Sequence, residues 1–200
     1  MALLSALVVR PGKPLATWWM AAAAIVALAA PVLPGSGLAA QGPRPSEYQV
    51  KAVFLFNFAQ FVDWPPEVVA DSQAPLVIGI LGGDPFGDLL DATVHGEHRG
   101  TRSFVVRRYQ RVEDVKTCDI LFISRPEGDR PRDVLAGLKN RPILTVSDGE
   151  GFAEHGGMIG FVTDRNRIRL KINLAVAQAA HLTISSKLLR VAEIINPPGP

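Results

Sequence analysis

Cysteine is almost absent from this sequence, because Cys118 is the one thiol in 200 residues. A single thiol cannot form an internal disulfide, so the fold must be held together by its apolar core. The domain predicted after the N-terminal segment considered below has about 155 residues, which is enough chain to bury such a core. Cys118 opens the apolar run CDILFIS, and this position predicts a buried, unreactive side chain rather than a nucleophile.

An excess of charge of one sign is also missing, since 21 Lys and Arg residues stand against 19 Asp and Glu residues. Two of the basic residues, Arg10 and Lys13, lie in the first forty residues, and without them the two signs are equal in number. The densest basic stretch, 99–111, has a strand-like pattern in which alternate side chains face water. We therefore expect no nucleic-acid partner.

Motifs that carry catalysis or hold cofactors are absent as well. The sequence has no G-x-S-x-G elbow, no G-x-G-x-x-G turn and no Gly-Lys-Ser/Thr phosphate loop. The pair His95 and His98 resembles a metal site, but Gly96 and Gly100 favour a solvated loop, and a zinc site needs three or four ligands. We expect no catalytic residue, no metal site and no cofactor.

The first forty residues have the order of a secretory signal peptide. Two basic residues precede the apolar run 15–33, and the small residues 38–40 offer a cleavage site. Pro31 favours cleavage after Ala39 or Ala40. The alternative is an anchor in the inner membrane formed by uncleaved residues 15–33, since that run is close to the roughly 20 residues that span a bilayer.

The rest of the chain is predicted to form one domain over 41–196, followed by a disordered tail over 197–200. SEYQVKAVFLFNFAQFVDWPP predicts a long helix that Ser46 caps. Buried strands are predicted by four apolar runs: PLVIGILGG, RSFVVRRY, CDILFIS and PILTVSD. Helices are expected from Asp84 onward and over 129–140. GMIGFVTDRNRIRLKINL predicts a hairpin, and INLAVAQAAHLTISSKLLRVAEII predicts two short helices.

This order of elements predicts the fold class. Strands and helices alternate up to the hairpin, which is typical of a parallel sheet covered by helices. The expected fold is therefore an α/β single domain with a mainly parallel central sheet, helices on both faces and an antiparallel hairpin at one end.

Two loops that follow predicted strands are candidate ligand sites. One contains Gly83 and Asp84, and the other contains Ser147 and Asp148. Ligands of α/β folds tend to bind at the carboxyl ends of the strands, where both loops are expected. Each loop also has a structural interpretation, because Asp84 is suited to cap a helix, and Ser147 and Asp148 are suited to shape a turn.

Two apolar surfaces are candidate partner-binding sites. On the first helix, Phe54 and Phe58 share one face, whereas Phe56 points in another direction. We expect the Phe58 face to pack on the sheet and Phe56 to be available to another chain. In the closing stretch, Leu188 and Leu189 belong to an apolar stripe that either completes the core or docks on a partner.

Several stretches taken together resemble the YfiR-like periplasmic proteins over about 48–195. They are VKAVFLFNFAQFVDWP, LVIGILGGDPFGDLL, CDILFIS, PILTVSDGEGFAEHGGMIGFV and RIRLKINLAVAQAAHLTISSKLLRVA, in that order and spacing. The resemblance implies an exported, non-enzymatic regulator that binds the periplasmic region of an inner-membrane diguanylate cyclase, lowers cyclic-di-GMP signalling and restrains biofilm formation. It also implies a tendency to dimerise. Because Cys118 stands alone, we do not expect the cysteine-pair redox switch of some members.

Two functions of different classes stay open at this point. The first is the regulator, which would bind a membrane cyclase through exposed apolar surface. The second is a periplasmic small-molecule sensor or carrier with a pocket at the strand ends. A ligand that binds only one state of a regulator would shift its activity, so the two functions are compatible.

Overall fold

The structure is a computed structural model that describes residues 46–68, 73–124, 131–165 and 167–195. The predicted signal peptide, its cleavage site and the predicted C-terminal tail lie outside these residues. Within the described ranges, no helix combines the length and the apolar character that crossing a membrane requires.

Most of the strands form one mixed sheet of eight in the order β10-β8-β7-β6-β5-β2-β4-β3. The strands are β1 (Val62–Asp63), β2 (Leu76–Leu81), β3 (His98–Arg99), β4 (Arg102–Tyr109), β5 (Ile120–Ile123), β6 (Leu144–Ser147), β7 (Ile159–Asp164), β8 (Arg167–Asn173), β9 (Thr183–Ile184) and β10 (Glu193–Ile195). From β4 through β2, β5 and β6 to β7, each strand is parallel to its neighbour. β7 and β8 form the predicted antiparallel hairpin. The structure therefore confirms the predicted α/β fold.

Helices cover both faces of this sheet. They are α1 (Glu47–Phe61), α2 (Asp88–Val94), α3 (Pro131–Gly137), α4 (Leu174–Ala179) and α5 (Ser186–Leu189). Side chains of β5 alternate between two cores, because Ile120 and Phe122 join the core that includes α1, whereas Leu121 and Ile123 join the smaller core beside α3. A strand whose side chains alternate between two buried faces reads as a continuous apolar run, as predicted for CDILFIS.

The first helix begins where the sequence predicts. Ser46 caps it, since the Gln49 backbone N–H donates to Ser46 Oγ at 3.2 Å and the Ser46 N–H donates to Gln49 Oε1 at 2.7 Å. This reciprocal pair satisfies N–H groups that the helix itself leaves without partners.

The predicted start of the second helix is wrong. Asp84 does not cap it, because α2 begins at Asp88 and its cap is Gly87 with a φ of 52°. Asp84 Oδ1 instead accepts hydrogen bonds from the backbone N–H groups of Phe86 at 2.8 Å and Gly87 at 3.1 Å, which closes a turn. A short carboxylate serves a helix cap and a turn equally well, and here the turn precedes the helix.

The closing stretch holds both predicted helices and two strands that were not predicted. Ser185 caps α5, because its Oγ accepts from the Lys187 N–H at 3.3 Å. Between α4 and α5, β9 pairs with β1, which directly follows α1. After α5, β10 adds an edge to the main sheet, parallel to β8. These pairings join residues far apart in the chain, so no local pattern indicates them.

Candidate functional site

The first turns of α1 lie over the carboxyl end of β6, and a cavity of about 720 Å³ opens between them and the β7–β8 hairpin. This cavity is called the Asp148 pocket below. Its lining comes from α1, from the loop after β6 and from the hairpin: Glu47, Tyr48, Lys51, Asp148, Gly149, Glu150, Gly151, Phe152, Glu154, Gly160, Phe161, Val162, Thr163 and Lys171. It is therefore built by segments about one hundred residues apart.

Lys51 is the central cation of the pocket wall and is only 2% exposed. Its Nζ donates to Asp148 Oδ2 at 2.7 Å and pairs with Glu47 Oε1 at 2.6 Å. Burial disfavours the charged ammonium, but the hydrogen bonds to Asp148 and Glu47 outweigh it and raise the pKa of Lys51. Lys51 is thus a buried cation held by two carboxylates.

Tyr48 links the two loops that the sequence singles out. Its hydroxyl donates to Asp148 Oδ2 at 3.0 Å, and its ring meets Phe86 edge-on with centroids 5.4 Å apart. Lys51 Nζ lies 4.5 Å from the centre of the same ring, within range of a cation–π contact. Burial, followed by the Asp148 carboxylate, raises the pKa of Tyr48, so the phenol stays a neutral donor at physiological pH.

The hairpin side of the pocket carries a second ion pair. Lys171 Nζ lies 2.6 Å from Glu154 Oε1, and Thr163 Oγ1 donates to Glu47 Oε1 at 3.0 Å. With Asp148 and Glu150 included, the lining holds two lysines and four carboxylates. The pocket is therefore polar, with an excess of negative charge that favours a polar ligand carrying a cationic group.

Of the four predicted ligand-site residues, the structure brings only Asp148 into this pocket. Ser147 is 3% exposed, and its hydroxyl donates to the Ile123 carbonyl at 2.6 Å, so it is bound within the core. Gly83 and Asp84 do not belong to the pocket lining. The Asp84 carboxylate pairs with Arg108 at 2.7 Å, and Arg108 also pairs with Asp91. The cavity that contains Asp148 lies between α1, the Asp148 loop and the hairpin.

The predicted partner-binding residues are less exposed than expected. Phe56 is half-buried and packs against Phe104, with ring centroids 5.1 Å apart. Leu188 is 4% exposed and lies in the core, the first of the two roles left open for the stripe, and Leu189 is half-buried. Leu188 belongs to the core that includes α1, and Leu189 packs against that core.

Other apolar side chains are exposed in the described part of the chain. Val53 on α1 is 48% exposed, Val191 after α5 is 71% exposed and Ile194 on the edge strand β10 is 39% exposed. Periodicity alone did not separate them from core residues, because all three lie in runs that are apolar on more than one face.

Sequence reasoning missed Lys51, Tyr48 and Glu47 as site residues. One signal was available for Lys51, which is the only charge in the fourteen-residue run from Tyr48 to Phe61. A lone lysine among buried apolar neighbours predicts a buried partner of opposite charge. Nothing local identifies that partner as Asp148.

Two comparisons bear on the site and the fold. A profile of the YfiR/HmsC-like family matches residues 48–193, from the second residue of α1 to the first residue of β10. The match includes Tyr48, Lys51 and Asp148. No curated protein matches the chain.

Proposed function

Because this chain belongs to the YfiR/HmsC-like family, we propose that it is an exported regulator that binds the periplasmic region of an inner-membrane diguanylate cyclase and lowers cyclic-di-GMP synthesis. The family match over 48–193 is the observation that carries the proposal. Membership supports a periplasmic role in diguanylate cyclase signalling and a regulatory rather than an enzymatic function. In the described ranges, no group of three or more His, Cys, Asp or Glu side chains is arranged to hold a metal ion.

The solvent-facing side of α1 is the favoured surface for the cyclase. Val53 is 48% exposed, and Phe56 and Asn57, three and four residues further on, are half-buried beside it. Residues at this spacing share one side of a helix. An exposed valine next to a half-buried aromatic ring is the kind of apolar patch that association buries. The contact between the Phe56 and Phe104 rings holds Phe56 in place beside this patch.

A second surface lies at the far edge of the main sheet. Val191 and Ile194 are exposed there, and Leu189 is half-buried beside them. Among the described residues, β10 forms the end of the strand order and no strand pairs with its outer edge, so this edge could pair with a strand of another chain. This edge is the better candidate for contact with a second copy of the chain. Leu189 would contribute to that contact beside Val191 and Ile194.

The test measures cyclic-di-GMP in a host that carries the chain together with a membrane diguanylate cyclase from the same organism. The wild-type chain should lower the nucleotide level. Val53→Arg should restore it with an unchanged melting temperature, whereas Leu89→Arg, at a 37% exposed position on α2, is the matched control and should still repress. If the wild-type chain leaves the cyclic-di-GMP level unchanged with every such cyclase, the proposed function is wrong.

The Asp148 pocket supports a second candidate function, that of a small-molecule sensor. Its volume of about 720 Å³ is typical of ligand sites. A ligand that occupies the pocket would contact α1 and the hairpin together and so bias the surface that Val53 presents. Screening polar, cation-bearing metabolites by thermal shift tests this function, and a hit should lose its effect in Glu150→Gln, an exposed lining position, while the unliganded melting temperature is retained.

A further inference from the structure

A second cavity lies at the opposite edge of the main sheet, where β2, β4, β5 and β6 begin. It has a volume of about 570 Å³, within the range of small-molecule sites. It is called the amino-edge pocket below. Its described lining is Val68, Ala74, Pro75, Val77, Arg102, Arg107, Lys116, Thr117, Cys118, Asp119, Asn140, Arg141, Pro142 and Ile143. None of these residues belongs to the Asp148 pocket.

An ion pair between Arg102 and Asp119, with no net charge, lines the amino-edge pocket. Arg102 Nη2 lies 3.1 Å from Asp119 Oδ1, and the two side chains are 10% and 6% exposed. Arg102 also donates to the Ala74 carbonyl at 2.8 Å and to the Pro75 carbonyl at 3.1 Å. Asp119 Oδ2 accepts from the Val77 N–H at 2.7 Å. The single carboxylate of the lining is therefore already used by Arg102 and the backbone.

Three further cations line the pocket and form no ion pair among the described residues, although the Asp114 carboxylate lies within electrostatic range of Lys116. Arg107 donates to the Thr117 hydroxyl at 2.9 Å, and Arg141 donates to the carbonyls of Val115 at 2.6 Å and Lys116 at 3.0 Å. These acceptors are neutral. In the described ranges, no carboxylate forms an ion pair with Arg107, Lys116 or Arg141.

The arginines are also held in place with donors to spare. Both bonds of Arg141 leave from Nη2, so its Nε and Nη1 hydrogens take no part in them. A guanidinium fixed by backbone carbonyls presents its remaining N–H groups with little loss of side-chain entropy. Such a fork matches the two oxygens of a carboxylate or a phosphate.

The other walls of the amino-edge pocket are apolar. Pro75, Val77 and Ile143 line it, and the half-buried Cys118 joins them with a thiol that is neutral at physiological pH, because burial raises its pKa to about 12. Apolar walls beside three cations concentrate the field on any anion that enters. They also favour a ligand with an apolar body over a bare ion.

We infer that the amino-edge pocket binds a small organic anion, with a carboxylate or phosphate head on Arg107, Lys116 and Arg141 and an apolar body against Val77 and Ile143. This inference goes beyond the proposed cyclase regulation and does not rest on it. The site is separate from the Asp148 pocket, whose lining is acidic and which favours the opposite charge.

The test uses four probes on the purified protein by isothermal titration calorimetry. Octanoate and octyl phosphate carry both the charge and the apolar body, octanol lacks the charge, and inorganic phosphate lacks the body. Octanoate, octyl phosphate or both should bind more tightly than octanol and inorganic phosphate, and the stronger of the two identifies the head group. Equal binding of octanoate, octyl phosphate and octanol overturns the inference, and so does binding of inorganic phosphate alone.

Variants locate the site. Arg107 and Lys116 are both exposed. The double variant Arg107→Gln, Lys116→Gln should weaken binding of the stronger probe by about tenfold or more, since losing a hydrogen bond to a charged group lowers affinity by about that factor. Arg167→Gln, an exposed arginine on β8, is the matched control and should bind as the wild type does.

Cys118 provides an independent readout, because it is the chain's single thiol and lines the pocket. The bound probe should slow the reaction of Cys118 with methyl methanethiosulfonate in the wild type, but not in the double variant. Unchanged binding in the double variant, or an unprotected thiol at saturating probe, overturns the inference.

Discussion

Lys51 on α1 donates a 2.7 Å hydrogen bond to Asp148, a residue 97 positions further along the chain in the loop after β6. Lys51 is 2% exposed and the Asp148 side chain is 10% exposed, so the pair is largely removed from water. It joins the start of the first helix to the carboxyl end of a central strand, and it forms one wall of the Asp148 pocket.

Removing the cation of this pair should destabilise the fold strongly. Lys51→Met leaves the Asp148 and Glu47 carboxylates in place without the ammonium between them. Breaking a buried pair in this way costs about 3–5 kcal/mol of unfolding free energy, which urea unfolding would measure. Lys171→Met breaks the pair with Glu154 on the exposed side of the pocket and should leave the midpoint close to that of the wild type. Equal losses in the two variants would show that Lys51 has no special role.

The two faces of α1 should differ in their response to truncation. Phe58 is fully buried and stacks with Phe161 at 5.9 Å, so Phe58→Ala should cost about 3–5 kcal/mol of stability. Phe56 was expected to be free for a partner, but it packs on Phe104, so Phe56→Ala should show a clear, smaller loss. Thermal and urea unfolding of both variants provide the comparison. A loss from Phe56→Ala as large as that from Phe58→Ala would show that α1 is enclosed on both sides.

Stability should fall in alkaline solution because of Cys118. Burial raises the pKa of its thiol from 9.0 to about 12 in the folded protein. Between these values the unfolded chain has released the thiol proton and the folded chain still holds it, so rising pH favours unfolding. The wild type should lose up to about 1.4 kcal/mol per pH unit there. Cys118→Ser lacks this contribution. From pH 9 upward, the wild type should therefore lose stability relative to the variant. A difference that stays constant with pH would contradict this account.

Gly79 lies in the middle of β2, where a side chain has no room. A Cβ built at this position would lie 2.8 Å from Cys118 Sγ, from Leu121 Cδ1 and from Tyr109 Cε2. Gly79→Ala should therefore destabilise the protein by about 1–3 kcal/mol through overpacking. Gly83→Ala is the matched control and should change little, since among the described residues its Cβ would meet Ser124 Oγ alone, at 3.9 Å. A wild-type melting temperature for Gly79→Ala would show that Cys118 and Tyr109 move aside at no cost.

Local patterns predicted most elements correctly. The buried strands were visible as continuous apolar runs, because a strand covered on both faces needs no polar side. Ser46 and Ser185 marked helix starts, since a serine hydroxyl accepts from the backbone of the next turn whatever lies elsewhere in the chain. Asp84 misled for a related reason, because the same carboxylate chemistry closes a turn as readily as it caps a helix.

The sequence by itself determined the alternation of strands and helices, the α/β class and the family resemblance, since each depends on residues close together in the chain. The tertiary structure alone decided that Asp148 meets Lys51 and Tyr48, that β9 pairs with β1, and that Arg107 and Arg141 share a cavity with Cys118. The physical reason is that contacts between distant segments depend on where the completed sheet places its edges. The charge and spacing of the residues involved are compatible with many other partners.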